Sequence, residues 1–238
     1  FPWELGIVED VWKDHRGPGF DERSLVSEMY NIPVENIHLC LGATQGISLA
    51  ISAASRGGVV AVEMPSYGPV SQTARILGLE TVPLSRIPTD EAWRIDREEW
   101  AKILVQVDLL MISPQLNPVG WSYTESDRKW LVEFCIKHDI NVISDEVYSG
   151  ADRNWKPFFK EGKNFITISS LTKVHGLGVV RYGWICADRE IIRYIGRSFH
   201  NMEGMMASPT IRIVEQIKDR LNAVSYTHLT LPTNSNVE

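Results

Sequence analysis

Ser169-Ser170-Leu171-Thr172-Lys173-Val174-His175-Gly176, followed by Arg181-Tyr182-Gly183-Trp184, is the stretch on which the reading of this chain turns. It comes just after the apolar run Phe165-Ile166-Thr167-Ile168, which has the character of a buried strand. Its own Ser, Thr and Gly content makes it a loop rather than a polar helix face. A lysine amine forms an imine with a carbonyl only when it is partly deprotonated, a state that burial and neighbouring positive charge both favour. Ser170 lies three residues before Lys173 and Arg181 eight residues after it. A hydroxyl and a guanidinium are the groups that bind a phosphate, the arginine through paired N–H donors. Taken alone, Lys173 reads as an ordinary solvated lysine in a turn, since lysines are mostly exposed.

The segments upstream decide between these readings. His38-Leu39-Cys40-Leu41 is a short apolar strand, after which Gly42-Ala43-Thr44 turns into an amphipathic segment beginning Gln45-Gly46. Such a turn aims free backbone N–H groups and a positive dipole end at whatever lies before it, although Thr44 could equally be a plain helix cap. Pro65-Ser66-Tyr67-Gly68 follows the strand Val59-Val60-Ala61-Val62-Glu63. That puts Tyr67 at the carboxyl end of a parallel strand, as a ring for stacking or as a packing residue. Asn117-Pro118-Val119-Gly120 is by itself an ordinary turn signature. Ser144-Asp145-Glu146-Val147-Tyr148 places Asp145 at the end of a strongly apolar strand. A carboxylate there needs a cation or several donors, or else caps a following helix.

In their order and spacing these five motifs resemble the class I/II aminotransferases, pyridoxal 5′-phosphate (PLP) enzymes of fold type I, over residues 20–221. The resemblance implies that Lys173 carries the cofactor as a Schiff base and then serves as general base and acid. It assigns the cofactor phosphate to the backbone at Ala43 and Thr44, to Ser170 and to Arg181. It sets Tyr67 on the pyridine ring, Asp145 against the protonated ring nitrogen, and Asn117 and Tyr148 at the phenolic oxygen. Asp145 and Tyr148 thereby join Lys173 as catalytic residues. An amino acid and a 2-keto acid are the implied substrates, and a homodimer the implied assembly of the full-length protein. One departure stands in the lysine loop, where Val179 occupies a position at which the family often has glycine.

Composition agrees with an ordinary globular enzyme: 44% of the 238 residues are hydrophobic and 23% charged. A formal charge of -6 without a cluster of Lys and Arg disfavours nucleic acid as a partner. No apolar run approaches a membrane span. Cys40, Cys135 and Cys186 lie singly in apolar stretches, which argues against a disulfide framework or a thiolate metal site and for a reducing cytoplasm. The six histidines show no ligand spacing, so no metal is expected, and His175 reads as a neighbour of the lysine loop.

Apolar runs predict seven strands, at 38–41, 59–63, 80–84, 109–113, 141–145, 165–169 and 182–187, alternating with helical segments at 45–54, 67–77, 125–138, 189–197 and 211–221. This is the pattern of an α/β fold, a three-layer α/β/α domain with a mostly parallel sheet. The reading divides the chain into a partial amino-terminal small-domain segment at 1–36, a PLP-binding large domain at 37–223, and a non-native or disordered tail at 224–238. The relatives are considerably longer, so the chain is expected to be a fragment, with the small domain and its carboxylate-gripping arginine largely missing. Two alternatives share the cofactor motifs. One is a PLP lyase or decarboxylase on the same fold; the other is an aminotransferase-like sensor domain of a transcriptional regulator.

Overall fold

Apolar residues on both sides of the central strands dictate a sheet covered on both faces, and that is how the chain folds. In the computed structural model, residues 21–89, 93–115, 120, 122–152, 154–202 and 206–224 are described. Strand β5 (Leu109–Ile112) shows the rule in four consecutive buried residues. Leu109 and Met111 join one core cluster, whereas Leu110 and Ile112 join the other. The period-2 alternation of a strand thus feeds two separate cores.

The strands are β1 (Ile37–Cys40), β2 (Val59–Met64), β3 (Glu80–Pro88), β4 (Trp93–Ile95), β5, β6 (Asn141–Asp145), β7 (Phe165–Ser170) and β8 (Gly183–Cys186). They form one sheet in the order β1-β8-β7-β6-β5-β2-β3-β4. The pairs from β7 through β3 are parallel, and β8 runs antiparallel to both β7 and β1. All seven predicted strands are present, and β4 adds an eighth, antiparallel to β3. It spans only three residues, too few for an alternation to stand out in the sequence.

Helices α2 (Ala43–Ala54), α3 (Gly68–Ile76) and α6 (Arg189–Met202) cover one face, through Ile47, Ala50, Val70, Ala74 and Ile195 among others. On the other face lie α4 (Arg97–Leu104) and α5 (Glu125–Lys137), with Trp100, Leu131 and Cys135. Beside them α1 (Ser24–Tyr30) and α7 (Ser208–Val224) pack with the outer strands through Leu25, Trp184 and Val214. Short α1 and α4 carry too few turns to announce themselves by period. Val224 closes α7, and the remainder of the expected tail, with residues 1–20, falls outside the described residues.

Helix ends distinguish the site from the rest. Asp96 caps α4 by accepting from the N–H groups of Glu98 and Glu99, and Thr124 caps α5 through Asp127 N–H. At α2 the N-cap is Gly42, with no side-chain cap. Thr44 therefore does not cap its own helix, and the first turn of α2 keeps its donors for something else.

Candidate active site

Strand register gathers the motifs along one edge of the sheet. Cys40 and Ser170 both pair with Gly183, while Asp145 pairs with Ile168 and Ile112 with Ser144. The carboxyl ends of β1, β2, β5, β6 and β7 therefore open on the same side, with the start of β8 among them. Chain order reverses between β2 and β5, which makes this the switch point of the sheet, where open α/β folds bind ligands. A cleft of about 200 Å³ lies there, lined by Ala43, Thr44, Tyr67, Asp145, Tyr148, Ser170, Lys173 and Arg181. These are all the predicted site residues except Asn117, which falls outside the described residues.

One end of the cleft is built for an anion. Arg181 follows a 3-10 turn (Gly178–Val180) and adopts a left-handed backbone, φ 54°, that brings it over the turn before α2. Its Nη2 donates to the Leu41 carbonyl at 2.8 Å. Gly42 has φ +83°, and a Cβ there would stand 2.6 Å from the same Nη2. A Cβ on Gly183 would in turn lie 2.7 Å from the Gly42 backbone. Two glycines thus let β1, β8 and the guanidinium converge on the uncapped start of α2. Ser170, 3% exposed, closes β7 beside them, and its hydroxyl accepts from Thr172 N–H at 3.3 Å. Thr172 Oγ1 is buried in the same wall with no hydrogen-bond partner among the described residues.

The lysine loop is closed by Leu171 N–H to the Tyr182 carbonyl and Leu177 N–H to the Leu171 carbonyl. Gly176, with φ +66°, makes the turn, and Val179 is simply exposed at 78%, so the departure at that position leaves the loop intact. Lys173 itself is exposed, its Nζ 5.9 Å from the Tyr148 ring centroid. The loop turns it out of the buried strand into the cleft. His175 is pushed down by burial, and its buried Nδ1 has no hydrogen-bond partner among the described residues.

Asp145 carries the strongest electrostatic signal in the cleft. Burial pushes its carboxyl up to about 6, reinforced by Glu146 and opposed by the Val147 N–H and by Lys173. Its Oδ1 accepts from that N–H at 3.3 Å, and only a 3-10 turn (Ser149–Ala151) follows, so it caps no α-helix. A carboxylate so poorly compensated is a receptor for a cation. Glu146, 2% exposed, is different. It accepts from Trp155 Nε1, Phe158 N–H and Thr167 Oγ1 at 2.7, 2.9 and 2.8 Å, which ties the connection after β6 to β7.

Ile47, Ser113, Gln115, Val147 and Thr172 also line the cleft and were not singled out from sequence. Gln115 accepts from Ser149 Oγ while its Nε2 is buried without a hydrogen-bond partner among the described residues. Nothing in the residue type marks such a glutamine; only its place two positions before Asn117 could have drawn attention. The donors at one end, a cation-seeking carboxylate and a free amine match the phosphate, ring nitrogen and aldehyde of PLP. No helix of the described residues is long and apolar enough to cross a membrane, and they hold no group of three His, Cys, Asp or Glu suited to a metal.

The sequence profile of the family described as Aminotransferase class I and II matches residues 23–225. Histidinol-phosphate aminotransferase of Pyrococcus furiosus is 26% identical over 208 residues, covering 85% of this chain and 59% of that protein. S-alkyl-thiohydroximate lyase SUR1 of Arabidopsis thaliana is 28% identical over 196 residues, covering 81% of this chain and 40% of its own length. The chain therefore spans about half the length of these relatives. Among solved structures, N-succinyldiaminopimelate aminotransferase from Mycobacterium tuberculosis superimposes with a TM-score of 0.81 at 21% identity, over 94% of this chain and 62% of that one.

Proposed function

Because the chain belongs to the class I and II aminotransferases, we propose that it is the cofactor-holding part of a PLP-dependent enzyme that moves an amino group between an amino acid and a 2-keto acid. The observation that carries this reading is the meeting, in one cleft, of the Arg181 and α2 anion site with the raised carboxyl of Asp145 and the amine of Lys173.

When bound, PLP supplies an aldehyde that takes up amines and a ring that draws electron density from the substrate's α carbon. Arg181, Ser170 and the backbone N–H groups at Ala43 and Thr44 hold the phosphate. Asp145, its carboxyl pushed up to about 6 by burial, would hold the cofactor's ring nitrogen, a cation beside it favouring the ionised form. Tyr67, 44% exposed at the cleft, offers its ring for stacking. Tyr148 and Asn117 serve the phenolic oxygen. Lys173 Nζ would serve as the base and acid that moves the proton at the substrate's α carbon.

The domain division at 1–36, 37–223 and 224–238 belongs to the same proposal, as does completion of the site by a second copy of the chain. Leu41 and Val179, beside cleft-lining segments, are exposed apolar residues that a second copy would cover. Buried thiols at Cys40, Cys135 and Cys186 support a reducing, cytoplasmic setting.

The test is a visible absorbance spectrum of the purified chain with PLP, before and after borohydride, beside Lys173→Ala. A lysine-dependent band that borohydride fixes covalently is expected. A folded, dimeric full-length protein that takes up no PLP would overturn the reading. Similarity to a lyase supports one second reading, elimination in place of transamination. Pyridoxamine phosphate after a single half-reaction is expected of the transaminase; keto acid and ammonia without it would identify the lyase.

A further inference from the structure

Glu63, next to last in β2, is a buried carboxylate for which the proposed chemistry has no use. It is 1% exposed and Arg86, on the neighbouring β3, is 3% exposed. Arg86 Nε donates to Glu63 Oε1 at 2.6 Å, and Nη2 also contacts that oxygen. The remaining contacts lead elsewhere. Ser113 N–H donates to Glu63 Oε2 at 2.9 Å, and the Tyr123 hydroxyl donates to Oε1. Arg86 Nη2 reaches the Ser113 carbonyl at 3.5 Å, and its guanidinium lies 4.5 Å from the Tyr123 ring centroid. Burial and the Glu63 charge hold the Tyr123 hydroxyl protonated, hence a donor.

Ser113 and Tyr123 are the two stems of the connection between β5 and α5, and Ser113 and Gln115 line the cleft. We propose that Glu63, paired with Arg86, is a positioning residue for the cofactor cleft: its two oxygens lock both stems of this connection to the end of β2 and thereby set the wall formed by Ser113 and Gln115. Stability alone does not ask for such a pair, since a buried ion pair is often replaceable by apolar side chains without loss. What apolar residues lack is direction. A carboxylate with one oxygen on each stem fixes where they stand relative to Tyr67, four residues beyond Glu63.

This inference rests on the reading that the cleft receives PLP. The experiment compares the parent chain with Glu63→Met/Arg86→Met, which removes the lock but fills its space, and with Tyr123→Phe, which leaves the ion pair and releases one stem. Melting temperature, the dissociation constant for PLP and the exchange rates of the backbone amides at positions 113 and 123 are read for each. The double variant is expected to melt near the parent while its PLP dissociation constant rises at least tenfold. A folded double variant that holds PLP as tightly as the parent would overturn the proposal. Should that variant not fold, Tyr123→Phe decides: a backbone amide at position 123 exchanging at least threefold faster, with PLP bound at least threefold more weakly, supports the lock, and no change in either refutes it. If the parent takes up no PLP, the functional reading fails, while amide exchange at position 123 in Tyr123→Phe still tests the lock itself.

Discussion

The guanidinium of Arg181 occupies the space that a side chain at Gly42 would need, a hypothetical Cβ standing 2.6 Å from Nη2. These residues are far apart in the chain, yet they share one construction: a left-handed arginine over a left-handed glycine at the start of an uncapped helix. Gly42→Ala is therefore expected to strain the backbone and displace the arginine together, at about 1–3 kcal/mol of stability. PLP affinity should fall by more than the fold does, about tenfold or beyond. Urea melts beside PLP titrations check this; a folded variant with unchanged affinity would separate Arg181 from the anion site.

Replacing Arg181 by lysine keeps the charge and removes the paired donors. Hydrogen bonds to charged groups contribute about 1.5–3 kcal/mol, so PLP should bind roughly ten- to a hundredfold more weakly. Pyridoxal, which lacks the phosphate, should bind the variant and the parent alike. Equal loss for both ligands would move the arginine's role away from the phosphate.

Asp145 gives the cofactor-free chain a pH dependence of unusual sign. Its folded value, about 6, lies above the ordinary 3.8, so the folded chain holds the proton more tightly than the unfolded one. This stabilisation is complete at low pH and is lost as pH rises from about 4 through about 6. Asp145→Asn should remove that component and stabilise the cofactor-free chain at neutral pH by about 1–2 kcal/mol, allowing for screening at the cleft. The same change should weaken PLP binding. Urea melts from pH 4 to 8 in which parent and variant run parallel would refute the raised carboxyl.

Lys173→Ala should leave folding nearly untouched, within about 0.5 kcal/mol, because the side chain is exposed. PLP should still bind through its phosphate and ring, but borohydride should fix none of it to the protein. Mass spectrometry of the reduced samples reads this out; covalent label on the variant would point to a different lysine.

Much of this molecule was readable from residues in order. Runs such as Phe165-Ile166-Thr167-Ile168 are buried on both faces whatever surrounds them, so the parallel sheet and its flanking helices follow from pattern alone. Lys173, Asp145 and Tyr67 were likewise visible, because each stands at or just past the carboxyl end of an apolar strand, and Arg181 because it stands just before β8, where its residue type conflicts with packing. The three residues of β4 and the short α1 and α4 gave no comparable signal, since their periods are too brief to rise above chance.

By itself, then, the order of residues determined seven of the eight strands, which way most of them run, and which polar groups arrive at their carboxyl ends. Only the tertiary structure decided how those groups are held. The close approach of Gly183 to Gly42, the orphaned Thr172 and Gln115 atoms, and the Glu63 contacts to Arg86, Ser113 and Tyr123 join residues from separate strands and loops. Their energies come from burial and from hydrogen-bond direction, and both exist only once the sheet has brought its edges together.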